Sequence, residues 1–477
     1  MNRRSFVSLA ASAAATAVTH IGHAASDQAI KIGMPRTNGA VMPADFTGLS
    51  YESGQLYNAD FFSPQNTALI RAFRDLNHSG VLRLGGHLSN ITPWEGVGQT
   101  DPLQIRGVRH GIEDYWEWPL VDTSIQKNKH GMITRKAIRN LRGFLEAVNW
   151  RLIYGLNFAS GSAARAADEA TFVSRTMGNR LVAFVLGNEP DGYGDDPVFR
   201  AKGYNFDRYF TEWQAWVKTI RAAVPQARIA GPDTDGKIDT WVLEFARRTR
   251  GDAALITAHF YGMGPASDPS MTAARLLQKD SPALRNFIAG AHAASYAAGG
   301  TPFRMDEGNS CFGGGRPGVS DAYASALWAA DFMLASAAAG FCGVNLHGGG
   351  TGVYTPIETT DPTTAGPRPV YYGMQFAQQF AQFSVAPCTI TSSVNATAWI
   401  GTRGLATKLA VINKGPEALT VQLPAPFASR PVNRLVLSGP ALDAKTGVLL
   451  TRDSQESRSA TQLIPAYTAI LFLKAGA

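Results

Sequence analysis

The chain has 477 residues, 45% of them hydrophobic and 17% charged, with a formal net charge of +7 at pH 7. This is the composition of a globular protein with room for one large domain and a smaller one. Past its first residues it has no run of ~18 uncharged apolar residues to span a membrane, and its scattered basic residues form no nucleic-acid-binding motif.

The N-terminus reads as a leader. Asn2-Arg3-Arg4-Ser5-Phe6-Val7 precedes an Ala-rich stretch from Leu9 to Val18, and Gly22-His23-Ala24-Ala25 offers small residues to a signal peptidase. That layout predicts a signal peptide over 1–25, of the twin-arginine type, and export to the periplasm or beyond. Its removal takes Arg3 and Arg4 and no acid, so the charge falls from +7 to +5. A basic balance of that size suits a carboxylated or polyanionic substrate. Cys311, Cys342 and Cys388 cannot all pair and match no metal-site spacing. An oxidising compartment allows one disulfide, a buried free thiol is an equal expectation for each, and no role is assigned to any of the three.

Ala29–Gly33 reads as an isolated strand. From Phe46 the chain alternates strands and helices. The predicted strands are Phe46–Glu52, Val81–Gly86, Leu152–Phe158, Leu181–Leu186, Arg228–Pro232, Ala254–Tyr261, Phe303–Glu307 and Phe341–Leu346. The predicted helices between and after them are Asn66–Asn77, Thr134–Val148, Ala163–Met177, Phe206–Val224, Lys237–Thr249, Ala273–Ala298, Ser320–Ala339 and Tyr372–Phe383. Eight βα units over residues 46–384 predict an α/β fold, a (β/α)8 TIM barrel. An open doubly wound sheet is the alternative, but it needs a Gly-rich phosphate loop after an early strand, and none is evident. The long connection from His87 to Met132 carries Trp94, Tyr115, Trp116 and Trp118, and a loop of that length is usually functional. Beyond Val385 come short β-type runs, Thr397–Gly401, Lys408–Asn413, Ala418–Leu423, Arg434–Ser438 and Ile464–Leu473. They predict a C-terminal antiparallel β-sandwich over 385–477, with residues 26–45 contributing the early strand. Its simplest role is to brace the barrel.

The fourth strand carries the strongest chemical signal. Leu181-Val-Ala-Phe-Val-Leu186 has no polar alternation, as in a strand buried on both faces, and it stops at Gly187-Asn188-Glu189-Pro190. An ionisable Glu there costs desolvation unless it has a partner or a use. Pro190 is expected to hold the Glu189 backbone extended. The seventh strand ends in Met305-Asp306-Glu307, a second acid at the same barrel mouth. Asp306 should point away from Glu307, by strand alternation, and read as structural. Two facing carboxylates are the apparatus of glycoside hydrolysis. Glu189 is expected to hold a proton near neutral pH and Glu307 to stay ionised, the two titrating as a coupled pair.

Glu307-Gly-Asn-Ser-Cys-Phe-Gly-Gly-Gly-Arg-Pro-Gly-Val-Ser-Asp321 resembles the nucleophile segment of glycoside hydrolase family 79, which contains β-glucuronidases and heparanases. The resemblance extends to Gly187-Asn-Glu-Pro190, Gly48-Leu-Ser-Tyr-Glu52, Leu82-Arg-Leu-Gly-Gly86, Ala258-His-Phe-Tyr261 and the barrel-plus-sandwich layout. It implies Glu189 as acid/base, Glu307 as nucleophile and Asn188 as a donor to the sugar 2-hydroxyl. It further implies that Gly313, Gly314 and Tyr354 receive the sugar carboxylate, that Tyr261 holds the nucleophile, and that Glu52 contacts sugar hydroxyls. Consecutive glycines agree with the carboxylate assignment, because without Cβ atoms their N–H groups can approach an anion. His259 shares the face of Tyr261 and is a candidate substrate contact, although a core histidine is its more ordinary reading, while any contact from His87 is left open.

The resulting expectation is a retaining, exo-acting β-glucuronidase that needs no metal or cofactor and acts on a glucuronic-acid-containing glycoside or glycosaminoglycan. Three alternatives remain: endo-cleavage of heparan sulfate, a non-catalytic uronide-binding protein, and a related glycosidase acting on xylosides or arabinosides. The aromatic insertion Trp94–Trp118 favours exo action if it walls off one end of the cleft. Aglycone, sugar methylation and oligomeric state are not set by the sequence.

Overall fold

The computed structural model describes residues 29–96, 131–195, 199–348, 352–361, 364–428, 432–457 and 459–474. The predicted leader over 1–25, and Tyr115, Trp116 and Trp118 of the aromatic insertion, lie outside these residues. Trp94 lies within them, at the stem of the insertion. It bridges to Ile133 and donates Nε1–H to Asp168 at 2.7 Å.

Eight strands close a parallel barrel: β1 (Thr47–Glu52), β2 (Val81–Gly85), β3 (Arg151–Leu156), β4 (Leu181–Leu186), β5 (Ile229–Asp235), β6 (Leu255–Pro265), β7 (Phe303–Phe312) and β8 (Gly343–His347). Each pairs with its sequence neighbour, and β8 returns to β1. The TIM-barrel reading therefore holds, and the open sheet does not. Leu82, Leu152, Ile153, Phe184 and Val344 are fully buried, which is why their strands show no polar alternation.

The helices form where apolar spacing and caps coincide. Asn66, Thr134, Ser162 and Asn205 each accept a backbone N–H three residues on, starting the helices Thr67–Leu76, Arg135–Val148, Ala163–Met177 and Phe206–Ala223. Three predicted helices differ. Ala273–Ala298 is two, Ala273–Leu276 and Pro282–Ala297, because Pro282 starts a helix and does not continue one. The helix expected at Lys237 opens with the π-turn Ile238–Val242, and the last barrel helix begins at Pro369 rather than Tyr372.

The C-terminal region builds two sheets. One has seven strands, in the order Leu449–Ser457, Val432–Ser438, Thr468–Lys474, Ala406–Asn413, Ala396–Arg403, Ser384–Pro387 and Ala40–Val41. The other has four: Thr389–Ile390, Ile30–Gly33, Leu419–Gln422 and Thr461–Ile464. Ile32, Val421 and Ile464 of the smaller sheet meet Val411, Ile470 and Phe472 of the larger in one apolar cluster. The single strand expected over Ile464–Leu473 is two strands in different sheets, separated by a turn in which Tyr467 has φ +48°. Helix Tyr323–Ala338 is buried almost all round because it lies between barrel and sandwich. There Asp331 accepts from Thr397 Oγ1, Trp399 Nε1 and Lys414 Nζ at 2.6–2.8 Å. Cys311, Cys342 and Cys388 are all free thiols. No helix of the described residues is long and apolar enough to cross a membrane.

Candidate active site

The site is assembled from carboxyl ends of barrel strands and the turns after them, with Arg83 of β2 at its floor. This arginine sits among apolar neighbours in Val81-Leu-Arg-Leu-Gly85 and is 1% exposed. A buried guanidinium needs every donor directed at an acceptor. Nη1 donates to Glu307 Oε2 and to Ser50 Oγ (3.1 Å), and Nη2 to Asn188 Oδ1 (2.8 Å) and Asp233 Oδ2 (2.5 Å).

Glu307 also accepts from the Tyr261 hydroxyl at 2.9 Å, and His259 and His347 approach it at 3.8 and 3.7 Å. Burial opposes its ionisation. The positive charge of His347, His259, Arg83 and His87 outweighs burial and holds the Glu307 carboxyl well below the usual carboxylate range.

Glu189 meets two histidines. Its Oε1 lies 2.8 Å from His259 Nδ1 and its Oε2 3.4 Å from His87 Nε2. Carboxylate oxygens of Glu189 and Glu307 lie within 4.8 Å of each other, and His259 Nδ1 lies 2.8 Å from the first acid and 3.8 Å from the second. His259 is itself buried. Burial disfavours its cation, but Glu307 and Asp233, with hydrogen bonds to Asp233 and Glu189, push its pKa well above the ordinary value. It belongs to the site and is not an isolated core histidine.

Two local expectations fail. Glu189 is not extended: it has φ +51° and ψ +52°, left-handed geometry that costs a non-glycine residue energy. Tertiary hydrogen bonds outweigh the local preference. The Asn90 side chain clamps Asn188 at both N–H and C=O (3.0 Å each), and the Glu189 N–H donates to the Asp233 carbonyl at 2.8 Å. Nor does Asp306 point away from Glu307. In the β6–β7 register, Ala258 faces Met305 while His259 faces Glu307, so Asp306 is the extra residue of a bulge. The bulge breaks the alternation and turns both acids inward. A matching irregularity in β5 leaves Asp233 as the extra residue, with φ +64°.

The other predicted residues surround the pair. Glu52 accepts from the Leu88 N–H at 2.9 Å and lies 3.5 Å from His347 Nε2. Asn188 Nδ2 is buried and has no hydrogen-bond partner among the described residues. Gly313, Gly314 and Gly315 have φ of +73°, +86° and +92°, and a Cβ on Gly315 would run into Tyr354. Only glycine adopts three such conformations in succession cheaply. Among the described residues the N–H groups of Gly313 and Gly314 donate to nothing, while the Gly314 carbonyl accepts from the Tyr354 N–H at 3.3 Å. The Tyr354 ring centre is 6.3 Å from that of Tyr261 and 5.8 Å from that of His347. His87 is about a third exposed, and although burial opposes its cation, Glu189, Glu52 and Glu307 outweigh this and raise its pKa.

Arg83, Asp233, Asn90 and His347 are site residues that the sequence alone does not single out. Arg83 carries a usable signal, since a lone charge in an apolar strand must be paired once buried. Two trios, Glu189–His259–Glu307 and Asp233–His259–Asp306, are compact enough for a cation. Arg83 already brings positive charge to Glu307 and Asp233. Beside Glu189 a cleft of about 250 Å³ is lined by Asp191, Asp195 and Asp235, with His87 and Lys237 as its basic residues.

No protein-family profile matches the chain. A β-glucuronidase of Neurospora crassa is 28% identical over 256 residues, 47% of this chain and 45% of that protein. One of Aspergillus niger is 25% identical over 218 residues, 41% of this chain and 40% of that protein. The matched stretch thus spans less than half the length of these relatives. Among solved structures, a 4-O-α-L-rhamnosyl-β-D-glucuronidase from Fusarium oxysporum 12S has a TM-score of 0.72 at 15% identity, over 93% of this chain and 99% of that one. A family 51 α-L-arabinofuranosidase from Bifidobacterium longum has a TM-score of 0.67 at 15% identity, over 93% and 99%. The chain shares with these structures a barrel fold carrying a β-domain.

Proposed function

We propose that this protein is a retaining, exo-acting β-glucuronidase. The observation that carries the reading is the opposed pair Glu189 and Glu307, with oxygens within 4.8 Å and Glu307 held ionised. Retention uses carboxyl groups about 5–5.5 Å apart, and inversion needs about 6.5–9.5 Å to admit a water. A Glu307 oxygen attacks the anomeric carbon as the bond to the leaving oxygen breaks, and Glu189 gives that oxygen its proton. Glu189 then takes a proton from water, whose oxygen displaces Glu307 and releases the sugar. Tyr261 and Arg83 hold the nucleophile in place. The unpartnered Nδ2 of Asn188 fits a donor to the 2-hydroxyl.

The sugar class rests on the N–H groups of Gly313 and Gly314, unpaired among the described residues and beside Tyr354, as an anion cradle of backbone donors, and on the partial likeness to two β-glucuronidases. The Arg3-Arg4 leader supports a periplasmic or secreted location.

The test compares aryl β-glucuronide, β-glucoside and α-arabinoside, and follows the first-formed anomer by NMR. Preference for the glucuronide with a β-configured first product is expected. Preference for either neutral glycoside, or an α-configured first product, would overturn the reading. Digests of heparan sulfate should yield no mid-chain fragments.

A further inference from the structure

Beneath Glu307 lies a polar group to which the proposed reaction assigns no step. Asp306 is fully buried, and neither of its side-chain oxygens has a hydrogen-bond partner among the described residues. Oδ1 of the fully buried Asp233 has none either. Arg83 Nε is 3.9 Å from Asp306 Oδ2, beyond hydrogen-bond reach, and Arg83 Nη2 is committed to Asp233 and Asn188. Side-chain oxygens of Asp233 and Asp306 lie within 4.8 Å, again with His259 beside them.

We propose that Asp306 is a neutral carboxylic acid in the resting protein, donating its proton to Asp233, so that the pair carries one negative charge and positions Arg83 and His259. As two carboxylates these residues would have no donor between them, and a buried anion without donors is severely destabilised. A single proton removes the repulsion and makes the hydrogen bond. Of the three acids that Arg83 faces, Asp306 is the most distant, at 3.9 Å and without a hydrogen bond from the guanidinium. Burial, then the neighbouring Asp233 charge, pushes the Asp306 carboxyl well up. Burial opposes the Asp233 charge, but Arg83 and His259 outweigh it and hold that carboxyl well down. The remaining negative charge on Asp233 faces Arg83 Nη2 at 2.5 Å and His259 Nε2 at 3.4 Å. Through them it orients the groups that contact Glu307 and Glu189. Asp306 is therefore a positioning residue that touches no substrate. A cation in the Asp233–His259–Asp306 trio is the competing occupant, and Arg83 leaves it no electrostatic need.

Infrared difference spectra of the full chain at pH 8, wild type minus Asp306→Asn, should show a protonated-carboxyl C=O band. This readout does not depend on the glucuronidase reading. The kinetic arm rests on that reading: Asp306→Asn, which keeps a neutral donor, should retain kcat within about threefold, whereas Asp306→Ala should lower kcat at least about tenfold with KM little changed. Thermal midpoints should be unmoved by zinc or EDTA. Absence of the difference band, loss of kcat in Asp306→Asn equal to that in Asp306→Ala, or a metal-dependent midpoint abolished by Asp306→Asn would each overturn the shared proton.

Discussion

His259 Nδ1 lies 2.8 Å from Glu189 Oε1, and the other nitrogen of the same ring faces Asp233. The ring thus ties the acid after β4 to the bulge in β5, and it brings a positive charge between Glu189 and Glu307. The Glu189 N–H donates to the Asp233 carbonyl, so the two left-handed residues support each other. A variant of any one member is expected to be felt by the others.

The proposed roles of the two carboxylates separate kinetically. Glu189→Gln should reduce kcat on a glucuronide with a poor leaving group by about 10²–10⁴, and much less for an activated aryl group that departs without protonation. Glu307→Gln should abolish the covalent intermediate for both. Equal losses for good and poor leaving groups in Glu189→Gln would remove it as the general acid.

Asn188→Ala should lose about 10²–10³ in kcat on a glucuronide and little on its 2-deoxy counterpart, because the missing donor then has no hydroxyl to meet. Equal losses on both substrates would assign Asn188 to holding Arg83, whose Nη2 it accepts at 2.8 Å.

Removing Arg83 leaves buried acids without their counter-charge. Arg83→Met should destabilise the fold by about 3–5 kcal/mol in denaturant titration. A cost below about 0.5 kcal/mol, the scale of an ordinary surface change, would contradict the buried network.

Gly314 at φ +86° gives a substrate-dependent prediction. Gly314→Ala should add about 1–2 kcal/mol of backbone strain and shift the loop N–H groups. KM for a glucuronide should rise about tenfold, which is 1.4 kcal/mol of binding, while weak activity on a glucoside stays level. If both substrates suffer alike, the loop does not read the carboxylate.

The pH dependence of stability follows from two opposite shifts. Glu307 binds its proton more weakly folded than unfolded. Its stabilisation is complete above the unfolded value of about 4.3 and is lost as pH falls through the lower folded value. His259 binds its proton more tightly when folded. Its contribution is complete below about 6.5 and is lost as pH rises through the raised folded value. Glu307→Gln should flatten the acid limb of unfolding free energy against pH, and His259→Gln the alkaline limb. Limbs of unchanged slope in both variants would show that neither proton is linked to folding.

The sequence by itself determined the barrel, the order of its strands and the two acids at its mouth. Those features depend on local patterns: apolar runs such as Leu181–Leu186 that bury on both faces, amphipathic helices with capping residues, and a Gly-Asn-Glu-Pro stop where a strand ends. The inward turn of Asp306, the left-handed Glu189 and the Arg83 network were decided only by tertiary structure. Strand alternation put Asp306 on the wrong face because a bulge is set by register against β6, information no stretch of β7 contains. Arg83 meets Glu307 across 224 positions of chain and Asp233 across 150. Burial in a shared low-dielectric floor, not the residues beside it, sets which charges must pair there.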